Sequence, residues 1–109
     1  MKTQDLRDLV RFSDDEPTHH PLWESTQLWS EILCLKETQG VGPITDATSD
    51  AIVTVLSGEV STQAGKSRAR MKQWESALVP AGTELTIRNA SAEPSVVLLV
   101  LAPPPAPSA

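Results

Sequence analysis

His19 and His20 are the only imidazoles in the chain. Imidazole titrates near neutral pH and carries much general acid–base and metal chemistry. The two are adjacent, and neighbours on an extended segment point in opposite directions. They therefore do not read as a pair of ligands to one ion. A second cluster is cationic: Lys66, Arg68, Arg70 and Lys72 recur at every other position. On a strand all four share one face, which reads as a solvated face, as a charged guard on a sheet edge, or as a clamp for an anion. Trp23, Trp29 and Trp74 are packing or interface material, with a stacking surface as the alternative. Cys34 stands alone, so it forms no internal disulfide. Among apolar neighbours it reads as an inert buried thiol. Asn89-Ala90-Ser91 matches a glycosylation acceptor, but Asn89 is better explained as a turn residue.

These groups must be positioned by a single domain, because 109 residues are too few for two independent cores. The net charge of −5 argues against non-specific nucleic-acid binding, which needs a basic surface. No apolar run is long enough for a membrane span, and Met1 to Val10 lacks a signal-peptide core. A single cysteine suits a reducing compartment. The expectation is a cytoplasmic protein with no nucleic-acid or membrane partner.

Leu6, Leu9 and Val10 fall at helical spacing, predicting a short helix in the first dozen residues. Ser13 to Pro21 reads as a loop, with two prolines and an acidic cluster. From Trp29 the pattern becomes β. Strands are predicted at Trp29–Lys36, Ala51–Leu56, Glu59–Gln63, through the Lys/Arg run, and at Ser76–Val79, Glu84–Asn89 and Ser95–Ala102. Ser57-Gly58, Ala64-Gly65 and Pro80-Ala81-Gly82 separate them as turns. Short strands so spaced argue for an all-β antiparallel sandwich or barrel. The division is an N-terminal arm (1–28), a barrel (29–102) and a proline-rich tail (103–109) expected to be disordered.

The order of these signals resembles the cupin superfamily of small jelly-roll barrels. Gly40-Val41-Gly42-Pro43 looks like the loop before the first cupin motif. Ile52 to Glu59 looks like the strand and turn that end it. Trp74 to Thr83, with its Pro80-x-Gly82, resembles the second motif, and Leu85–Asn89 and Val96–Leu101 complete the match. The resemblance implies a cupin-type jelly roll and a homodimer. In metal-binding members, His-x-His and a Glu precede the turn glycine and a third His follows Pro-x-Gly. Those positions here are Ile44, Asp46, Ala51 and Leu85. One carboxylate does not hold a transition metal, so no metal and no cofactor are expected. Trp74 stands where the family usually has a turn glycine. A bulky residue there predicts an ordinary backbone conformation.

The barrel interior is thus expected to be lined by Ile44, Asp46, Ala51, Val53, Val55 and Leu85, forming an apolar hollow for a small organic ligand. The reading that follows is a non-catalytic or regulatory binding barrel. The alternative is a metal-independent isomerase, epimerase or cyclase. Its general base would have to come from Asp46, His20 or Glu84. A metal-dependent cupin with unusual ligands is the third reading.

Overall fold

The computed structural model describes residues 1–105. Nine strands follow a single 3-10 turn at Leu6–Leu9: β1 (Thr18–Glu24), β2 (Trp29–Leu35), β3 (Gly40–Ile44), β4 (Asp50–Ser57), β5 (Glu59–Ala64), β6 (Ser67–Lys72), β7 (Ser76–Val79), β8 (Leu85–Asn89) and β9 (Ser95–Ala102). They form two antiparallel sheets, one in the order β1-β2-β9-β4-β7 and the other in the order β3-β8-β5-β6. The all-β antiparallel sandwich or barrel expected from the turn spacing, and the jelly roll that the resemblance implies, agree with the observed architecture.

Strand alternation decides what each sheet buries. On β4, Ala51, Val53 and Val55 point inward and are buried, while Ile52 is exposed and Thr54 and Leu56 are half-buried. They meet Leu33 and Leu35 of β2, Val60 of β5, Leu85 and Ile87 of β8, and Val97, Leu99 and Leu101 of β9 in one core between the sheets. Each fully buried Val, Leu or Ile contributes about 1.5–3 kcal/mol relative to exposure. β2 is buried on both faces. Its other side, Ile32 and Cys34, packs with Val96 beneath Leu6, Leu9, Val10 and Phe12 of the N-terminal segment. This second layer explains why Ile32 to Leu35 reads as a continuous apolar run rather than an alternating one.

Three local differences from the sequence reading have physical causes. The predicted N-terminal helix is a single 3-10 turn, capped by the Asp5 side chain accepting from Arg7 N. A helix this short gains little cooperativity, so packing on β2 sets its shape. The expected loop over Ser13–Pro21 gives way at Thr18 to β1, which pairs with β2 through Thr18↔Cys34 and His20↔Ile32. Pro21 is tolerated because β1 is an edge strand. Gly40–Ile44, expected as a loop, is the edge strand β3. Of the tail, residues 103–105 leave β9, with Ser49 Oγ donating to Pro103 O at 2.6 Å. Residues 106–109, also assigned to that tail, lie outside the described residues.

The prediction for Trp74 is overturned. Its φ is +73°. The turn is fixed by Trp74 N donating to Val55 O (2.8 Å) and Val55 N donating to Glu75 O (2.9 Å), and these bonds hold a bulky residue where glycine would be unstrained.

Candidate functional site

β1 and β3 are each one edge strand of their sheet, and residues of both line one seam of the sandwich. Between them runs an open groove of about 710 Å3, lined by Glu16 to His20 on one side and Gly40 to Ile44 on the other. His19 is at this groove. Its Nδ1 lies 3.0 Å from Oε1 of Glu31. The register explains the contact. His19 is opposite Leu33 and Pro21 is opposite Glu31, so His19 and Glu31 are diagonal neighbours within reach of long side chains. Glu31 sits on the same face of β2 as Leu33 and Leu35, which belong to the core.

The two ends of this bond see different surroundings. The Glu31 side chain is 9% exposed and that of His19 is 50% exposed. Among the described residues, Glu31 is the one charged residue that is buried. A carboxylate only accepts hydrogen bonds, so with Glu31 ionised His19 donates to it from Nδ1, and His19 is among the residues lining the groove. A buried acid fixing the far nitrogen of a half-exposed imidazole is the geometry of an oriented base or hydrogen-bond acceptor.

The expected site residues are not brought together in this way. His20 faces the opposite side from His19, and its Nε2 contacts Arg11 O at 3.2 Å. Thr18 Oγ1 also donates to Arg11 O, so these two side chains fasten the N-terminal segment. Asp46 Oδ1 accepts from Thr48 N (2.9 Å), Thr48 Oγ1 (3.0 Å) and Ser49 N (2.9 Å). It shapes its own loop. Glu84 is exposed, and its backbone oxygen accepts from Gly65 N at the neighbouring turn. The acid–base set of Asp46, His20 and Glu84 is therefore scattered over three places.

Ile44, Asp46, Ala51 and Leu85, counted off along the chain, do converge. They line one hollow at the end of the barrel, together with Ser49, Val79, Pro80, Thr83 and Leu101. That hollow holds only about 10 Å3, barely one water molecule. Val53 and Val55 lie deeper and are fully buried. Leu85, Leu101 and Val79 occupy much of the space between these residues.

No family model and no curated protein matches the sequence. Solved structures do match. The protein TT1209 from Thermus thermophilus is 30% identical, with a TM-score of 0.91 over 96% of this chain and 100% of that one. A protein with a double-stranded β-helix domain from Klebsiella pneumoniae is 21% identical, with a TM-score of 0.86 over 94% and 90%. An RmlC-like cupin protein from Desulfovibrio desulfuricans is 23% identical, with a TM-score of 0.85 over 95% and 98%. The chain therefore has the double-stranded β-helix fold of cupin proteins.

In this chain the residues at the positions where metal-binding cupins hold their ion do not fit a metal. Ile44, Ala51 and Leu85 have no ligating atom, and the Asp46 oxygen is engaged by its loop. Among the described residues no group of three or more His, Cys, Asp or Glu gathers where an ion could sit. No helix among them is long and apolar enough to cross a membrane.

Sequence reasoning favours His20 over His19 and passes over Glu31. The missed signal is a lone carboxylate inside Trp29-Ser-Glu-Ile-Leu-Cys-Leu35, a run otherwise fit for burial.

Proposed function

We propose that this cupin-fold chain binds a small organic molecule without a metal, in the groove between β1 and β3. The observation that carries the reading is the His19–Glu31 bond, a buried carboxylate presenting an imidazole to an open space of ligand size. A volume of about 710 Å3 falls in the range of ligand sites, roughly 300–1,000 Å3. A second groove of about 800 Å3 runs past Arg7, Phe12, Gly58 and Pro94, but no buried polar pair faces it. In the β1–β3 groove, a neutral imidazole with its Nδ1–H on Glu31 offers Nε2 as an acceptor, Glu16 adds a carboxylate to the lining, and Val41, Pro43 and Ile44 supply apolar wall. This suits a neutral or cationic molecule that carries a hydroxyl or amine donor, and it disfavours an anion.

A second reading is a metal-independent enzyme of the isomerase, epimerase or cyclase type, and the same pair favours it. With Nδ1–H held by Glu31, His19 Nε2 can take a proton from a substrate hydroxyl or activated C–H, and Glu31 stabilises the imidazolium that forms.

The test is a screen of small alcohols, amines and polyols by saturation-transfer NMR, run on the wild type, His19→Ala and Glu31→Gln. The reading expects donor-bearing hits that are lost in His19→Ala and weakened in Glu31→Gln. Hits that survive both substitutions would overturn it. Turnover of a hit that depends on His19 would decide for the enzyme.

A further inference from the structure

Although the chain is net acidic, five of its nine Lys and Arg residues, Lys66, Arg68, Arg70, Lys72 and Arg88, lie on the four-stranded sheet and its turn. Arg68, Arg70 and Lys72 alternate along β6, opposite Gln63, Ser61 and Glu59 of β5. Lys66 falls in the turn before β6, outside the strand it was expected to extend. Arg88 on β8 is in register with Ser61 and so with Arg70. Arg70 is fixed in place, donating to Glu59 Oε1 at 2.7 Å and to Ala90 O at 2.9 Å. Arg68 bonds only the Gln63 amide oxygen, at 2.9 Å. Among the described residues Arg68, Lys72 and Arg88 make no ion pair.

β6 is also the end strand of its sheet, paired with β5 alone among the described residues. Beside the row of cations its outer edge is open at Arg68 and Arg70, whereas at Lys72 the backbone N–H donates to Glu75 Oε1 (2.7 Å) and the carbonyl accepts from Glu75 N (3.0 Å). We propose that this edge takes up an extended acidic peptide as an added strand, its alternating carboxylates facing Arg68 and Lys72 on either side of Arg70. Two independent features meet here. The unpaired edge offers main-chain hydrogen bonds, and the cations repeat every two residues, about 6.8 Å, which is the repeat of same-face side chains on any incoming strand. Cross-strand opposite charges stabilise such pairing, while cationic strands are repelled. The patch holds no aromatic side chain for stacking bases, so an acidic polypeptide fits it better than a nucleic acid.

The experiment uses the full chain and a labelled peptide of alternating Glu and Thr, followed by fluorescence anisotropy and by amide exchange. The proposal expects saturable binding at low salt, weakened by high salt, with slowed exchange in β6. The exposed double substitution Arg68→Glu/Lys72→Glu should weaken the acidic peptide about tenfold or more and admit a Lys–Thr peptide instead; circular dichroism confirms that the variant is folded. Absence of binding would overturn the proposal. So would equal binding of a single-stranded oligonucleotide with no protection of the β6 amides, which would leave only a general polyanion surface.

Discussion

The 3.0 Å contact between His19 Nδ1 and Glu31 Oε1 joins the inside of the barrel to its open seam. One partner is on an edge strand and half in solvent, and the other is almost sealed among Leu33 and Leu35. A buried carboxylate is costly unless hydrogen-bonded. The pair is therefore coupled: removing the imidazole strands the acid, whereas removing both leaves an apolar strand that packs well.

That coupling gives a prediction. His19→Ala should lower stability by about 1–2 kcal/mol, because it leaves a nearly buried acceptor without its donor. The double substitution His19→Ala/Glu31→Leu should be more stable than His19→Ala alone. Urea denaturation of the complete double-mutant cycle reads the interaction directly. Additive effects would show that the contact carries no energy.

The filled interior predicts the cost of emptying it. Leu85 is 2% exposed and caps the small hollow beside Leu101 and Val79. Leu85→Ala should cost about 2–4 kcal/mol, the transfer loss plus the cavity left behind. A loss well below about 1 kcal/mol in the urea midpoint analysis would mean that the end of the barrel is already loosely packed.

Two glycines separate backbone strain from crowding. Gly58 and Gly82 both have φ +80°, yet a Cβ on Gly58 would meet Pro94 O at 2.6 Å and Ser95 Cα at 2.8 Å, while one on Gly82 meets nothing. Gly82→Ala should cost about 1–2 kcal/mol for the left-handed conformation alone. Gly58→Ala should cost distinctly more. Equal melting temperatures for the two variants would contradict the tight approach of the β4–β5 turn to Pro94 and Ser95.

The acid limb of stability should depend on Glu59. The hydrogen bond from the Arg70 guanidinium holds this carboxyl below its ordinary value of 4.5. A depressed carboxyl contributes stability that is present above the unfolded-state value and is lost as pH falls through the folded one. Glu59→Gln should thus flatten the decline of the urea midpoint below about pH 4.5. The effect is small because the Arg70 partner is largely solvated. An unchanged acid limb would mean that the pair does not persist in solution.

Much of the fold is legible in the sequence because strand signals and turn chemistry agree. Ser76–Val79 and Ser95–Ala102 are strands to the residue, and Ile44, Asp46, Ala51 and Leu85 meet in one hollow as the resemblance to the cupin motifs implies. Three features are not legible, each for a physical reason. β1 has Pro17 just before it and Pro21 within it, a loop signal that only its pairing to β2 overrides. Trp74 violates the local conformational preference because tertiary hydrogen bonds to Val55 outweigh it. His19 and His20 are equivalent in sequence, and the register of β1 on β2 alone decides which one meets Glu31. The volume of the interior depends on how side chains from both sheets interdigitate, so an apolar lining can be foreseen but its fullness cannot.

The most direct test of the account is a crystal of the protein soaked with a hit from the small-alcohol and amine screen. The account predicts difference density in the groove between β1 and β3, with a hydroxyl or amine of the molecule at hydrogen-bond distance from His19 Nε2. Density between the sheets beside Val53 and Val55, or a coordinated cation beside Asp46, would contradict it.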